Sequence, residues 1–218
     1  MDSFLKKHCS PEWQEFVNFH KSIYTYKKGE FIFKEGDKVE GLYILNQGKV
    51  KIVASESDKH EKLVRLAADG DVIGHRGFGG DWKYPVSAIT YEETIVTFIP
   101  INIFNVLAKS NAEFTYHLMM FFANELRETE EKNTIIPVKN RIAEAILVNY
   151  RVFGSDENDP TRLSYAISRK DYANKVGTTY ETIIRVFSDL NKDKIISIEG
   201  KSIRIINFEK LNEIASAK

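Results

Sequence analysis

The sequence predicts an α+β chain: an N-terminal antiparallel β jelly roll, a long α-helix, and a C-terminal winged helix-turn-helix. Three observations predict it. Residues 22–99 hold short β-rich runs broken by Gly-containing turns. From Pro100 the apolar spacing becomes helical. Residues 168–207 carry two helix starts, a glycine stop and two short β-rich runs.

Residues 10–20 are expected to form a short amphipathic helix. Strands are expected over 30–33, 41–45, 49–53, 62–66, 71–73, 86–90 and 94–99. Leu42, Ile44, Val50 and Ile52 supply period-two alternation, and Lys28-Gly29, Gly36-Asp37, Gln47-Gly48 and Gly70-Asp71 supply the corners.

Residues 100–108 read as one short helix, and a long one opens at Asn111 or Ala112 and runs to about residue 135, where Pro137 ends it. Two apolar stripes run along the long helix. Met119, Phe122, Leu126, Thr129, Asn133 and Ile136 follow each other by three or four residues as a heptad seam. Phe114, Leu118 and Phe121 form the second stripe. A helix with two such faces packs one on its own β module and offers the other to a second copy of the chain; a wholly intrachain helix is the alternative. The expected domains are therefore 1–110, a β-roll sensor; 111–136, a dimer helix; and 137–218, a winged helix-turn-helix.

The last segment carries the functional signal. Ser168 with Asp171, and Thr178 with Glu181, are hydroxyl-then-carboxylate helix starts, in which the hydroxyl accepts an otherwise unpaired backbone N–H. Gly177 falls where the first helix must stop through a left-handed residue. Ile183, Val186, Phe187 and Leu190 share a core face, leaving Tyr180, Glu181, Ile184 and Arg185 on the opposite side near the N-terminus. That is the end a recognition helix inserts into the major groove of double-stranded DNA. Arg185 has the geometry to bond guanine O6 and N7, and Glu181 to accept from cytosine N4. Thr178 and Thr179 are placed near phosphate, and Ser168, Arg169, Thr182 and Lys201 complete the candidate DNA-contacting set. Residues 195–198 and 201–206, around a Glu199-Gly200 turn, read as the wing. The helix pair alone also fits an ordinary αα-hairpin; the caps, Gly177 and the wing together favour the DNA reader.

Composition excludes several classes. No apolar run approaches the ~20 residues of a membrane span, and Met1-Asp2-Ser3-Phe4-Leu5-Lys6-Lys7 does not read as a signal peptide, so a cytoplasmic protein with no membrane partner is expected. The single cysteine, Cys9, reads as a bystander and excludes an intrachain disulfide, a thiolate zinc site and a four-cysteine iron-sulfur cluster. His8, His20, His60, His75 and His117 show no metal-ligand spacing and read as exposed or satisfied imidazoles; no metal or cofactor is expected, with haem left open through His75 or His117. The 31 basic and 31 acidic residues cancel. Residues 138–218 nevertheless hold 14 Lys and Arg against 11 Asp and Glu, with the acidic loop 156–159 offsetting much of the surplus. Non-specific DNA affinity should be weak.

The order of β roll, long helix and winged helix resembles the Crp-Fnr family of bacterial transcription regulators over nearly the whole chain. Residues 26–37 (YKKGEFIFKEGD) and 42–52 (LYILNQGKVKI) are similar to its opening strands, 141–147 (RIAEAIL) to the helix entering its DNA domain, and 181–185 (ETIIR) to its recognition helix. The resemblance implies a homodimer on a palindrome, with Glu181 and Arg185 reading a TGA-like element in each half, Tyr180 and Ile184 tuning flanking bases, and RNA polymerase as a further partner.

In the cyclic-nucleotide branch of that family a Gly-Glu pair holds the ribose hydroxyl and an Arg-Ser or Arg-Thr pair holds the cyclic phosphate. The corresponding residues here are Gly74, His75 and Arg76, then Val86, Ser87 and Ala88. His75 stands in place of the glutamate and Val86 in place of the arginine. A valine does not neutralise a buried phosphate, so cyclic AMP is not the expected effector. The glycine-rich loop bearing Trp82 either shapes a pocket for another small molecule or is filled by its own side chains. The expectation is a regulator, not an enzyme, under an unidentified effector. The alternatives are a regulator without a ligand and a metal-dependent jelly-roll enzyme of the cupin kind, which needs clustered histidines and a carboxylate.

Overall fold

The computed structural model describes residues 7–57, 60–130 and 136–217. The chain divides into two compact units, one of residues 1–51 and 67–134, the other of residues 52–66 and 135–218.

The first unit opens with α1 (Pro11–His20), whose Pro11 sits in the first turn, where a missing N–H costs nothing. The N-terminal strands are β1 (Ser22–Tyr26), β2 (Phe31–Phe33), β3 (Gly41–Gln47), β4 (Val50–Ser57), β5 (His60–Ala67), β6 (Val72–Ile73), β7 (Ser87–Thr90) and β8 (Thr94–Pro100), of which β4 from Ile52 and β5 to Leu66 are assigned to the second unit. They form two four-stranded sheets, ordered β1-β8-β3-β6 and β2-β7-β4-β5. In the first sheet β3 and β8 run antiparallel, with Tyr43 opposite Phe98 and Leu45 opposite Val96.

Central strand β3 is buried on both faces from Gly41 to Leu45, and alternation sorts its side chains. Tyr43 joins an aromatic cluster with Phe33, Phe98 and Tyr84. Leu42 and Ile44 face the other way, into a helix-covered core with Val17 of α1 and Ile103, Phe104 and Leu107 of α2 (Ile101–Ser110). Helix α3 (Ala112–Glu130) adds Phe114 to that core, with Leu118 packed against it. The expected second stripe of the long helix therefore faces its own β module. Of the other stripe, Met119 and Leu126 are 56% and 61% exposed, and Phe122 and Ile136 are half-buried. The Thr129 side chain and Asn133 lie outside the described residues.

Two strand expectations are corrected. Strand β1 precedes the first run expected; it lies at a sheet edge with its three middle residues exposed, so it shows no alternation to read. In the second unit the wing turn is Gly200-Lys201, not Glu199-Gly200, because Glu199 still pairs with Ser202 across the ladder.

The second unit holds α4 (Val138–Phe153), α5 (Arg169–Val176), α6 (Tyr180–Lys192), the hairpin β9 (Ile196–Glu199) and β10 (Ser202–Ile205), and α7 (Phe208–Ser216). Its core joins Ile142 and Ile146 of α4 to Tyr172 of α5 and to Ile183, Phe187 and Leu190 of α6. Asn149, fully buried in α4, donates to the Tyr165 carbonyl and the Tyr172 hydroxyl, both at 3.1 Å. Among the described residues no helix is long and apolar enough to cross a membrane.

Candidate nucleic-acid interface and effector site

Helix α5 starts at Ser168, whose hydroxyl accepts from the Asp171 backbone N–H at 3.0 Å and donates to the Asp171 carboxylate at 2.8 Å. It ends at Gly177, left-handed at φ 68°, ψ 55°, and the N–H groups of Gly177 and Thr178 both reach the Ala173 carbonyl. The Thr178 backbone N–H is thereby used in closing α5. The cap of α6 is accordingly Thr179, not Thr178: its hydroxyl accepts from the Thr182 N–H at 3.2 Å and lies 3.1 Å from the Thr182 hydroxyl. Ser168, Thr179 and Thr182 thus all work inside helix caps.

Helix α6 buries Ile183, Val186, Phe187 and Leu190, the expected core face. Tyr180, Glu181, Ile184 and Arg185 are exposed together on its first turns. Neither Glu181 nor Arg185 has a side-chain partner among the described residues, and the two do not pair with each other. A guanidinium and a carboxylate left unpaired on one exposed helix end are the groups that base edges recognise.

Arg169, expected at the DNA, is half-buried instead. Its guanidinium stacks over the Phe187 ring at 4.6 Å and donates to the Lys201 carbonyl at 3.3 Å. Burial lowers its pKa from the ordinary arginine value. It braces the wing turn against the two helices, and Lys201 itself is exposed at that turn. Three further supports escaped the sequence reading. Arg204 of β10 donates to Asp159 at 2.7 Å and pairs with Glu199, so the acidic loop anchors the wing. Hydrogen bonds from Thr161, then burial and Arg204 acting against each other, leave the Asp159 carboxyl below its usual range. Arg141 of α4 donates to the Val176 carbonyl at the end of α5. No local spacing announces contacts between residues so far apart in the chain.

The expected effector residues fall in two stretches, one at the turn after β6 and one at the start of β7. Gly74 precedes a 3₁₀ turn over His75–Gly77. A Cβ on Gly77 would meet Val39 at 2.5 Å and Tyr84 at 3.1 Å, and one on Gly74 would meet Tyr84 at 3.3 Å. The turn therefore rests directly on Tyr84, which is buried, stacked on Phe33 at 4.2 Å and bonded through its hydroxyl to the Gly41 carbonyl at 2.8 Å. Burial pushes the Tyr84 and Tyr43 hydroxyls up from the ordinary tyrosine pKa. Ser87 accepts from the Glu35 N–H at 2.9 Å, Ala88 pairs with Phe33, and Val86 is half-buried before β7. Val86 stands directly before Ser87 where a cation would meet a phosphate, and the Tyr84 ring lies against both glycines.

The histidine expectation is corrected at His75, which is neither exposed nor fully satisfied. It is 4% exposed; its Nε2 lies 2.9 Å from Glu125 of α3, and its Nδ1 has no partner. Glu125 follows Phe121 by four residues and so extends the second stripe of the long helix, a signal present in the spacing. His117 pairs with Glu113 at 3.0 Å and stacks on His8 at 3.7 Å between centroids. Cys9 is buried, which pushes its thiol up to about 11. Among the described residues no three His, Cys, Asp or Glu side chains are grouped to hold a metal ion.

Comparison with known proteins agrees with this architecture. A cyclic nucleotide-binding domain model matches residues 24–111, and a Crp-like helix-turn-helix domain model matches residues 140–214. The fumarate and nitrate reduction regulatory protein of Vibrio cholerae is 30% identical over 193 residues, covering 87% of this chain and 76% of that protein. The transcriptional activator protein Anr of Pseudomonas aeruginosa is 28% identical, covering 88% of this chain and 80% of its own length. The structure of FixK2 from Bradyrhizobium japonicum shares the fold, with a TM-score of 0.79 at 22% identity, covering 91% of this chain and 98% of that one. With two domain models in this order and a relative matched over most of both lengths, the chain belongs to the Crp-Fnr family of DNA-binding transcription regulators.

Proposed function

We propose that two copies of this chain join through the exposed stripe of α3 and read a palindromic site with the paired N-terminal ends of α6. The observation that carries this reading is the unpaired, exposed Glu181 and Arg185 on the first turns of a helix whose opposite face is locked in the core. Arg185 bonds guanine, Glu181 accepts from cytosine, and Tyr180 and Ile184 touch the flanking bases. Lys201 on the wing and Thr178 at the turn meet phosphate, while Arg169 holds the wing in place. Family membership supports RNA polymerase as the second partner. The chain's relatives are regulators, and the cupin-like alternative gains no support from the arrangement of the described residues.

Selection of bound fragments from random double-stranded DNA tests the reading. It should enrich a palindrome whose half-sites lie about one helical turn apart, and Glu181→Ala with Arg185→Ala should abolish the enrichment. Enrichment of a single half-site, or an unchanged site in the double variant, would overturn it.

A further inference from the structure

Between Glu181 and Arg185 on the exposed side of α6 stands an alkyl side chain, Ile184, 43% exposed. Single exposed alkyl groups are ordinary on a protein surface; position decides what this one means. Ile184 lies three residues from Glu181, a spacing that makes the two neighbours on one helix face, and it adjoins Arg185. A helix rises about 1.5 Å per residue, so the three side chains span about 6 Å of axis. Base pairs stack at about 3.4 Å, so they reach two or three successive pairs. The other exposed residue of these turns, Tyr180, donates and accepts through one hydroxyl and does not single out a base edge.

In the major groove guanine presents N7 and O6, adenine N7 and N6, and cytosine N4; thymine alone adds a methyl group. A branched alkyl side chain makes no hydrogen bond. Against guanine, adenine or cytosine it strips water from a polar atom and leaves that atom unpaired, which is costly. Against thymine it covers a methyl group instead, which is favourable. We infer that Ile184 is a specificity-determining residue that selects thymine, through its 5-methyl group, at a base pair adjoining those read by Glu181 and Arg185. This deepens, and rests on, the reading of α6 as the recognition helix. Burial of one methyl is worth about fourfold in affinity, hence about fifteenfold over two half-sites. That is less than a bidentate arginine contact supplies, so Ile184 sharpens one position of the site without carrying the palindrome.

Replacing thymine by uracil removes the methyl group and nothing else. In the palindrome selected by the full-length protein, each thymine is replaced in turn, symmetrically in both half-sites, and affinity is measured at one salt concentration. One position, next to the base pair whose preference Arg185→Ala relaxes, should weaken the wild type by about fifteenfold. This readout needs no variant to fold. Ile184→Ala should bind the thymine and uracil duplexes within about twofold of each other, whereas Ile184→Val, which keeps a branched alkyl group, should retain the preference. Uracil without effect at every position, or an equal loss in Ile184→Ala, would overturn the thymine assignment and leave reading by Glu181 and Arg185 standing. Failure to select any palindrome would overturn both.

Discussion

Arg185 and Arg169 have the same side chain and opposite tasks. Arg185 is exposed and unpaired, so Arg185→Ala should cost about 1–3 kcal/mol of discrimination at one base pair per half-site with no loss of melting temperature. Arg169 is fastened to Phe187 and Lys201; Arg169→Ala should lower affinity on all sequences alike and loosen the wing, seen as faster amide exchange at Gly200 and Lys201. The charge of both and the exposure of Arg185 were legible in the sequence, but the burial of Arg169 was not, because Phe187 and Lys201 approach Arg169 only through the tertiary fold. Asn149 is the same kind of residue in the core. Asn149→Ala strands the buried Tyr172 hydroxyl and should cost about 1–3 kcal/mol by chemical denaturation. Cys9 sets a pH limit. Its thiol rises from 9.0 to about 11 on folding, so the stability tied to its neutral form is complete below pH 9 and declines as pH climbs toward 11. Melting curves across that range should fall less steeply for Cys9→Ala.

At the scale of elements, the turn between α5 and α6 is the most sequence-determined part of the molecule. Ser168, Asp171 and Gly177 each occupy the position their chemistry prescribes, and Gly177→Ala, forcing a side chain to φ 68°, should cost about 1–2 kcal/mol. The cap of α6 fell one residue later than its spacing suggested because the Thr178 N–H is drawn back to Ala173. The same limit applies to β1, an edge strand that exposes the middle of its length and leaves no alternating trace. Helix α3 was legible as two stripes because its spacing records both faces at once. Its exposed face should be the seam between copies: Met119→Lys with Leu126→Lys should convert a dimer to a monomer by light scattering, with helicity retained.

For the whole molecule, the architecture followed from the order of periodicities, β then helix then capped helix pair and hairpin, and the effector did not. Substituting Val86 and His75 into the nucleotide cassette argues against one ligand, but only the packing shows Tyr84 beneath Gly74 and Gly77 and His75 turned toward Glu125. Cyclic AMP should therefore change neither melting temperature nor DNA affinity at millimolar concentration. With equal numbers of acidic and basic residues, the molecule has little attraction for DNA in general, so its function rests on specific contacts. The most direct test is fluorescence anisotropy at one fixed salt concentration, comparing wild type and Arg185→Ala on the selected palindrome and on a scrambled duplex. The wild type should prefer the palindrome by at least about a thousandfold, and Arg185→Ala, altered in both copies, should lose about a hundredfold of that ratio. An unchanged ratio in the variant would contradict the assignment of α6 as the reading helix.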